Sequence, residues 1–595
     1  MLRITELKLP LSALPVEVRR DADAPTETDA DRIPTPHPIS ALTHLAAQAL
    51  GVAAADITQL QVFKRSFDAR KAELLVVFIV DLALAPGLEH TLLSRFADHP
   101  HISATPSMDY APAGFATVAP LIRPVVVGFG PCGMFAALML AQMGLRPIVL
   151  ERGKTVRERT RDTWGLWRKN VLNPESNVQF GEGGAGTFSD GKLYSQIKDP
   201  RFLGRKVMTE FVKAGAPDNI LVDAHPHIGT FKLVKVVENM REQIIALGGD
   251  IRFEQRVTDV QIEEGGPGRH IRGLTVLDQV TGASSNLRAD HVVLALGHSS
   301  RDTCAMLHRR GVYVEAKPFS IGFRIEHPQG LIDRARWGRH AGHPLLGAAE
   351  YKLVHHATQG VGKGRSVYSF CMCPGGTVVA ATSEAGRVVT NGMSQYSRNE
   401  RNANAGLVVA INPGDFPTDP SAFAAMLGDS FAADAEGMKR VHPLAGVVLQ
   451  RQLESHAYLL GGNNYQAPGQ LVGDFVAGRA SKQLGDVEPS YKPGVLLGDL
   501  HTALPDYAIA ALREAIPAFG KKIKGFDRHD AVLTGVETRT SSPLQMTRGD
   551  DFQSINVRGL YPAGEGASYA GGILSAGVDG IKVAEAVARS LLPIA

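Results

Sequence analysis

The chain has 595 residues, of which 44% are hydrophobic and 21% charged, the composition of an ordinary globular protein with a sizeable core. Its 63 basic and 60 acidic residues give a net charge of +3, so the chain as a whole has no strong electrostatic attraction to nucleic acid or to acidic membranes. Four cysteines in a chain of this length do not make a disulfide scaffold and indicate a reducing, cytoplasmic compartment.

Residues 1–105 are predicted to form a small separate domain. A strand at 2–9 precedes an acidic, proline-containing loop at 21–38 and a helix in the segment SALTHLAAQALG. Two strand-like runs, LQVFKRSF and ELLVVFIVDLAL, follow. This β-α-β-β order is typical of a ferredoxin-like α+β domain. The alternating start of the chain lacks the unbroken apolar stretch of a secretory leader.

The region joining the two runs is basic, with Lys64, Arg65, Arg70 and Lys71 in or beside the turn. A solvated hairpin is the simpler interpretation. The alternative is a docking surface for RNA or for a protein partner.

The strongest motif is RPVVVGFGPCGMFAALMLAQMGLRPIVLERG, which begins at residue 123. Val125–Val127 predict a buried strand, and Gly128 predicts a tight turn after it. Gly130 allows the backbone to approach a pyrophosphate closely, and Gly133 allows the next helix to pack closely against the strand. A second strand ends at Glu151, the offset of about twenty residues at which a carboxylate accepts hydrogen bonds from a ribose. The motif therefore predicts a dinucleotide-binding domain of Rossmann type.

The same region contains no charged residue over 124–145, which is long enough to span a bilayer. Its glycines and proline predict a strand, a turn and a helix instead, so no membrane span is expected.

A glycine-rich segment, NVQFGEGGAGTFSDGKLY, occupies residues 177–194 and repeats the G-x-G-x-x-G spacing. No apolar strand precedes it and no periodic helix follows, so it is not a second Rossmann turn. A flexible surface loop is one interpretation. We favour a loop whose backbone packs against a ligand, because three apolar side chains anchor it in a core: Phe180, Phe188 and Leu193.

Two later segments repeat the pattern of a strand followed by glycine. LRADHVVLALGHSSRDT predicts a strand at 291–296 that turns at Gly297 beside the nucleotide. Near the C-terminus a strand at 559–563 ends in Gly564 and Glu565, and an amphipathic helix begins at 571–573.

These three segments together resemble the glutathione-reductase and p-hydroxybenzoate-hydroxylase group of two-domain FAD enzymes. The resemblance implies that Glu565 holds the ribityl chain of FAD, although the group more often has Asp there. It also implies that the backbone of Gly572 and Ile573 points a helix N-terminus at the flavin.

A closer resemblance, to a bacterial family of FAD-dependent (NAD(FAD)-utilising) dehydrogenases of unsettled substrate, rests on motifs along most of the chain: KRSFDARK, FGEGGAGTFSDGKL, HPHIGT, YSFCMCPGG, SEAGRVVTNGMS, RNANAGLVV and GVETRTSSP. The resemblance implies mainly FAD as the cofactor. The alternation of strands and helices from residue 123 onward, together with the FAD motifs, predicts an α/β fold with a Rossmann-like FAD-binding domain at 106–305 and 532–595. An α+β substrate domain is expected as an insertion at 306–531, and the ferredoxin-like domain at 1–105.

The predicted FAD-binding residues follow from the motif and from the resemblance. Val257 is expected near the adenine, in the strand-like run DIRFEQRVTDV. The complete set is Gly128, Gly130, Gly133, Glu151, Arg152, Gly183, Gly184, Val257, Gly297, Gly564, Glu565, Gly572 and Ile573.

In flavin chemistry the protein mainly positions the reacting groups and provides electrostatic stabilisation. The candidate catalytic residues are therefore charged: Asp190, Lys192, Arg324 and Arg539. Asp190 and Lys192 either orient the substrate or stabilise reduced flavin, or they simply cap and solvate their loop. Arg324 could clamp an acidic substrate, but a structural ion pair is the favoured interpretation.

His225 and His227 lack metal-ligand spacing and predict a structural turn or a cofactor contact, so no metal is expected. Cys371 and Cys373 raise the possibility of a redox-active disulfide. VYSFCMC instead resembles an apolar strand with both thiols on one face, which favours buried packing.

The sequence thus predicts an enzyme, an FAD-dependent oxidoreductase that holds its flavin non-covalently. Since no second complete dinucleotide fingerprint occurs, NAD(P)H is expected only as a transient electron donor. The expected partner is a small-molecule substrate or an electron-transfer protein, and nucleic acid is disfavoured. The alternatives are a flavin-dependent RNA-modifying protein that docks RNA through the N-terminal domain, and a non-catalytic electron-transfer flavoprotein.

Overall fold

The structure, a computed structural model, describes residues 1–14, 37–70, 73–265, 268–436 and 440–592. Nearly all of the predicted acidic loop at 21–38, and Lys71 of the basic turn, lie outside these ranges. Among the described residues there is no helix of the length and apolar character needed to cross a membrane. The uncharged stretch at 124–145 is a strand, a turn and a twelve-residue helix, as predicted.

The N-terminal part of the chain folds around an antiparallel four-stranded sheet. The predicted strand, helix, strand, strand order is present, and a second helix and a fourth strand follow. The sheet order is β2-β3-β1-β4, and its core includes Leu42 on α1 and Phe78 and Val80 on β3. The elements are β1 (Leu2–Pro10), α1 (Ile39–Leu50), β2 (Ile57–Asp68), β3 (Leu75–Leu84), α2 (Leu88–Arg95) and β4 (Ile102–Ala104).

The next part of the chain alternates strands and helices. Its elements are β5 (Val125–Val127), α3 (Pro131–Gln142), β6 (Ile148–Leu150), α4 (Val156–Lys169), α5 (Leu203–Lys213), α6 (Thr230–Ala246), β7 (Asp250–Arg252), β8 (Gln255–Gly265), β9 (Gly268–Asp278), β10 (Ser284–Arg288), β11 (Val292–Leu294) and α7 (Arg301–Arg309). The run DIRFEQRVTDV is not one strand. Glu254 has a φ of 56° and separates β7 from β8, which belong to different sheets.

A larger, mixed sheet follows in the chain. Its region contains β12 (Glu315–Ala316), β13 (Phe319–Pro328), α8 (Gln329–Trp337), β14 (Val354–His356), β15 (Ser366–Ala380), β16 (Thr390–Ser394), β17 (Asn402–Ile411), α9 (Pro420–Leu427), α10 (Asp429–Ala435), α11 (Ala445–Leu460), β18 (Ala467–Leu471), α12 (Val472–Ala477), β19 (Val495–Leu497), α13 (Asp506–Gly520) and β20 (Val532–Glu537). The strand order is β14-β15-β17-β13-β20-β18-β19, and β16 pairs with β15.

The chain ends with β21 (Leu544–Gln545), β22 (Leu560–Pro562) and α14 (Ile573–Leu591). β22 returns to the first α/β region and completes a five-stranded parallel sheet of order β22-β11-β5-β6-β7. α14 packs against α3 so closely that a Cβ at Gly580 would lie 2.3 Å from the carbonyl oxygen of Cys132. The carboxyl ends of β5, β6, β11 and β22 therefore meet at one edge, where α/β sheets bind their ligands.

Candidate functional site

A cavity of about 1030 Å³ opens at this edge of the parallel sheet and extends to the large mixed sheet. Its wall includes every predicted FAD-binding residue except Gly133 and Gly183. It also includes Asp190, Lys192 and Arg539, whereas Arg324 is not on the wall. One cavity thus contains residues that are separated by more than four hundred positions in the chain.

The turn after β5 has the close packing that its glycines predict. Gly128 has a φ of 97°, and a Cβ there would lie 2.4 Å from the carbonyl oxygen of Ala295. A Cβ at Gly133 would lie 1.9 Å from the carbonyl oxygen of Gly128, so Gly133 serves helix packing and is not on the cavity wall. A Cβ at Gly130 would find its nearest neighbour in Gly184 Cα at 3.5 Å, which is ordinary contact.

The Glu151 carboxylate is buried at the end of β6 and accepts three backbone hydrogen bonds. Oε2 accepts from the N–H of Phe129 at 2.9 Å, and Oε1 accepts from those of Gly153 at 2.8 Å and Gly181 at 2.9 Å. A carboxylate has about four acceptor positions, so about one remains for a ribose hydroxyl. Glu151 therefore also fixes the turn and the glycine-rich loop to each other.

The glycine-rich loop is not a flexible surface segment, because the buried Arg159 side chain binds several of its carbonyl oxygens. This guanidinium is fully buried and donates to the carbonyl oxygens of Asn177 at 2.7 Å, Val178 at 2.7 Å and Glu182 at 2.7 Å. Burial lowers the pKa of Arg159 to about 10, although nearby carboxylates oppose the shift. The three apolar residues predicted to anchor the loop are all buried: Phe180, Phe188 and Leu193.

Most of the tight contacts of the loop glycines are with protein atoms. A Cβ at Gly181 would meet the Arg159 side chain at 2.4 Å, and one at Gly183 would meet Thr187 Oγ1 at 2.1 Å. Thr187 fills the space beside Gly183, and Gly183 does not line the cavity. Gly184, with a φ of 59°, lies against the Gly130 turn and does line the cavity.

Two helix N-termini open onto this cavity, those of α3 and α14. Their N-cap residues are Gly130 and Gly572, and neither helix has a side-chain cap among the described residues. Within 4 Å of a Cβ at Gly571 or Gly572 the described part of the chain places no atom. Free N–H groups and a positive helix end are thus presented twice to the same space, as an anionic pyrophosphate or a flavin carbonyl requires.

Glu565 lines the cavity beside α14, and its carboxylate lies 3.7 Å from His298 Nδ1. Arg152 also lines it, but its guanidinium donates to Glu175 and Asp302 and lies over the Phe180 ring, 4.1 Å from the centroid. Arg152 is consequently engaged by two carboxylates on the cavity wall. Val257, on β8, lines the cavity with an apolar side chain.

Asp190 and Lys192 are held in place by protein partners and do not serve only to solvate their loop. Arg398 Nε donates to Asp190 Oδ1 at 2.9 Å, and a second, shorter bond joins Nη2 to Oδ2. Burial opposes ionisation of Asp190, but Arg398 keeps its pKa below the ordinary value. The Lys192 ammonium donates to the carbonyl oxygen of Met372 and lies 3.8 Å from Glu350 Oε2.

Arg324 is not a substrate clamp, because it is fully buried and all its donors are engaged within the protein. Nε and Nη2 donate to the Glu537 carboxylate at 2.9 and 3.1 Å, and the other bonds go to Asn391, Asn404 and the carbonyl oxygen of Cys371. The favoured interpretation of a structural ion pair is correct, and the partner is Glu537.

Arg539 lines the cavity while pairing with a buried carboxylate. Its guanidinium donates to Glu454 at 3.0 and 2.9 Å and to the hydroxyls of Ser299 and Ser383. Arg301 binds the other side of Glu454, at 2.9 Å. Burial opposes ionisation of Glu454, yet the two guanidinium groups hold its pKa well below the ordinary range. The Arg539 guanidinium is therefore engaged by protein partners, although Arg539 also lines the cavity.

Cys371 and Cys373 do not lie on one face of a regular strand. Cys371 has a φ of 42° in a bulge of β15, and it lines the cavity, whereas Cys373 is fully buried. The prediction that both thiols are buried packing groups is thus wrong for Cys371.

Sequence reasoning missed a polar group opposite the loop. The Tyr194 ring stacks on His225 with centroids 4.8 Å apart, and its hydroxyl donates to Glu350 Oε2 at 3.2 Å. Glu350 also pairs with His225 Nδ1. The Glu350 segment, AAEYK, has no local motif, and only the fold brings it to the loop. His227 has no metal partner among the described residues and stacks on Tyr396 at 5.3 Å, which fits the predicted structural turn.

Two cations of the basic turn near the N-terminus are paired with carboxylates. Arg65 Nη2 donates to Asp223 at 2.7 Å and Arg70 pairs with Asp68 at 2.6 Å. Two of the cations invoked for RNA docking are therefore already paired with carboxylates, and the RNA-modifying alternative gains no support.

The described residues form an α/β fold with a cavity at the carboxyl edge of its parallel sheet. Residues 318–540 match the family described as FAD-dependent protein, C-terminal domain-like, and residues 1–83 match a domain of unknown function, DUF8436. A Clostridium beijerinckii protein carrying the name "Uncharacterized protein" is 47% identical over 537 residues, which are 90% of this chain and 93% of that one. The chain belongs to the same family as this clostridial protein.

Solved structures that the chain matches include a geranylgeranyl bacteriochlorophyll reductase-like protein from Thermoplasma acidophilum, with a TM-score of 0.32 and 11% identity over 79% of each chain. Another is the glycerol-3-phosphate dehydrogenase from Bacillus halodurans complexed with FAD, with a TM-score of 0.25 and 12% identity over 49% of this chain. The chain spans about half, 48%, of that dehydrogenase.

Proposed function

We propose that this protein is an FAD-dependent oxidoreductase with its flavin bound non-covalently in the cavity at the edge of the parallel sheet. The observation that carries the proposal is the meeting of two uncapped helix N-termini, those of α3 and α14, on one cavity whose glycines leave room for a ligand. The family match at 318–540 supports FAD as that ligand. The alternatives of an RNA-modifying protein and of a non-catalytic electron carrier have no comparable observation.

The residues present fit FAD. Gly130 and Gly184 form a backbone cradle that a side chain would fill, and the N-terminus of α3 would hold the pyrophosphate. The remaining acceptor position of Glu151 would take a ribose hydroxyl, and Val257 would contact the adenine. Glu565 would hold the ribityl chain, and the N–H groups at Gly572 and Ile573 would face the flavin carbonyl. Bound FAD would supply the two-electron redox chemistry.

The other groups on the cavity wall would bind and orient the substrate. Lys192 lines the cavity, and burial, which disfavours its charge, is outweighed by Asp190 and by the neighbouring thiols, so its pKa is raised. It therefore stays charged and suits an anionic or electron-rich group. Glu350 is ionised as well, since burial is outweighed by His225 and Lys192 and its pKa is lowered to about 2. Lys192 and Glu350 thus place a positive and a negative charge on the wall of the same cavity.

We further propose a division of the chain into the four predicted segments, with 1–105 as a ferredoxin-like domain and 306–531 as an inserted substrate domain. The βαββαβ order and the β2-β3-β1-β4 sheet support the first part. The position of β13 to β20 in the chain, between β11 and β22 of the parallel sheet, supports the second.

The test is the visible spectrum of the purified protein, before and after reconstitution with FAD, followed anaerobically with NADPH and then NADH. A flavin spectrum that bleaches with one nicotinamide identifies the donor. A flavin spectrum that stays oxidised leaves a dehydrogenase whose substrate is the donor, or a partner protein in that role. Absence of bound flavin after reconstitution would overturn the proposal.

A further inference from the structure

The motif CMC, at residues 371–373, has no role in the function proposed above, yet it reaches the same cavity. Cys371 and Met372 line the cavity wall together with the dinucleotide turn and Lys192. Cys373 lies behind them and is fully buried. All four cysteines of the chain are free thiols in the structure, so two of them lie next to the site in reduced form.

The backbone holds Cys371 in an unusual conformation. On β15, Phe370 pairs with Gly406 and Cys373 pairs with Asn404, so three steps on β15 oppose two on β17. Cys371, at this bulge, has a φ of 42°, a left-handed conformation that costs a residue other than glycine about 1 kcal/mol. Such conformations persist where surrounding contacts fix them, and they cluster at functional sites.

Specific bonds fix the bulge. Arg324 Nη1 donates to the carbonyl oxygen of Cys371 at 2.9 Å, and the Cys373 thiol donates to the same oxygen at 3.4 Å. Lys192 donates to the carbonyl oxygen of Met372. A Cβ at Gly392 would lie only 3.0 Å from Cys373 Sγ, so this sulfur is closely enclosed. Cys371 and Cys373 therefore belong to one turn that these bonds hold in place, and Cys371 lines the cavity while Cys373 is buried.

The charges around the turn favour a thiolate at Cys371. The neighbouring Cys373 side chain, followed by the charges of Lys192 and Arg324, lowers the pKa of the Cys371 thiol, although burial and Asp190 oppose the shift. The adjacent Cys371 side chain and burial raise the pKa of the Cys373 thiol. A low-pKa sulfur open to a cavity, beside a second thiol, is the arrangement of an attacking and a resolving cysteine.

We propose that Cys371 and Cys373 are a redox-active pair that reduces a low-molecular-weight disulfide entering the cavity. The Cys371 thiolate attacks one sulfur of the disulfide RSSR, so that a Cys371–SR bond forms and RS⁻ leaves. Cys373 loses its proton and attacks the Cys371 sulfur, which forms the Cys371–Cys373 bond and releases the second RS⁻. With two protons the products are one protein disulfide and two thiols, RSH.

The cycle closes when the protein disulfide takes up two electrons and two protons and returns to two thiols. These electrons come from reduced FAD, which becomes oxidised, and so this half of the cycle rests on the proposed function. The first half concerns only the chain's own sulfurs and can be tested without flavin.

The first test is thiol labelling of the full-length protein in anaerobic buffers of reduced and oxidised glutathione. After equilibration the thiols are blocked with a maleimide, and the peptides that contain each cysteine are measured by mass spectrometry. We expect Cys371 and Cys373 to lose their label together as the buffer becomes oxidising, with the loss of two hydrogen masses. Cys304, which is buried in α7, keeps its label and serves as the internal control.

Variants sharpen this result. Cys373→Ser should stop the exchange at the mixed disulfide, so that Cys371 carries one glutathione. Cys371→Ser should leave Cys373 labelled in every buffer, and Cys304→Ala should behave as the wild type does. Full labelling of Cys371 and Cys373 in all buffers would overturn the proposal, as would a stable glutathione adduct on Cys371 in the wild type with Cys373 free. The wild-type measurement alone decides the question if a variant does not fold.

The second test is an anaerobic dithionite titration of the FAD-loaded protein after oxidation with oxidised glutathione. We expect four electrons per flavin in the wild type and two in Cys371→Ser, since the disulfide adds one two-electron acceptor. Two electrons in both proteins would overturn the dithiol pair while leaving the flavin assignment intact. If the protein binds no flavin, the proposed function is wrong. The glutathione labelling would then still show whether the thiol exchange occurs.

Discussion

Arg398 and Asp190 form a buried ion pair that joins two distant parts of the chain. Arg398 Nε donates to Asp190 Oδ1 at 2.9 Å, and the two residues are 10% and 1% exposed at their side chains. Asp190 lies in the glycine-rich loop, and Arg398 lies between β16 and β17 of the large sheet. The pair thus fixes the cavity wall of the loop against the sheet that carries Cys371.

Replacing one partner of this pair should be costly. We expect Asp190→Asn to lower the free energy of unfolding by about 3–5 kcal/mol, because it leaves the Arg398 charge buried without its carboxylate. The measurement is a urea denaturation curve. The control is Glu488→Gln, which removes an exposed pair with Arg401 and should cost at most about 1 kcal/mol. Equal effects of the two variants would contradict the structural role of Asp190.

The two glycines of the dinucleotide turn should respond differently to alanine. Gly130→Ala places a methyl group in ordinary contact with Gly184, so the fold should persist while FAD affinity falls by at least about tenfold, or about 1.4 kcal/mol. Gly133→Ala places its methyl group 1.9 Å from a carbonyl oxygen, so in addition to any loss of FAD affinity it should lower the free energy of unfolding by about 1–3 kcal/mol. Flavin fluorescence titration and thermal melting of both variants check this. A Gly130→Ala protein that binds FAD normally would contradict the predicted cradle.

Glu565 should matter for the cofactor and little for the apoprotein. Among the described residues its carboxylate accepts no hydrogen bond, and His298 Nδ1 lies 3.7 Å from it. We expect Glu565→Gln to weaken FAD binding by about 1–2 kcal/mol and to change the apoprotein's stability by less than about 0.5 kcal/mol. Glu151→Gln is the matched comparison. Its carboxylate accepts three backbone hydrogen bonds, so we expect the apoprotein itself to lose stability. The reverse pattern would contradict both assignments.

Acid should destabilise the protein partly through His327. This ring is fully buried and bonds through Nε2 to the carbonyl oxygen of Phe526 at 2.6 Å, and burial lowers its pKa from 6.5 to about 4. Between these values the unfolded chain binds a proton that the folded protein does not, so stability falls as pH drops from about 6.5 towards 4. The loss from this group is up to about 3 kcal/mol. Comparing urea unfolding of the wild type and His327→Gln across this range should show a shallower pH dependence in the variant; parallel curves would refute it.

The sequence predicts best where the information is local. The turn at Gly128, the strand ending at Glu151 and the start of α14 lie within a residue or two of their expected positions, because short motifs dictate their backbone. The length of helix α3 and the burial of Phe180 and Phe188 follow from apolar patterning in the same way.

The rest of the site depends on contacts across hundreds of residues. Glu350 and Arg398 reach the loop only through the pairing order of the large sheet, and no local pattern indicates it. The prediction of Cys371 as a packing residue is wrong because the bulge that turns it towards the cavity arises from the register between β15 and β17. The glycine spacing predicts Gly183 as a cofactor contact, although Thr187, four residues on, occupies the space beside it.

The buried guanidinium of Arg159 has a consequence for how the cofactor is acquired. The Arg159 guanidinium donates to the carbonyl oxygens of the 177–182 segment from inside the protein. Opening that segment would therefore leave the buried guanidinium without these hydrogen-bond acceptors. The loop is thus shaped before any ligand arrives, and its ordering entropy is lost during folding and not on binding. FAD should therefore enter a preformed slot, and apoprotein and holoprotein should exchange backbone amide hydrogens in this loop at similar, slow rates.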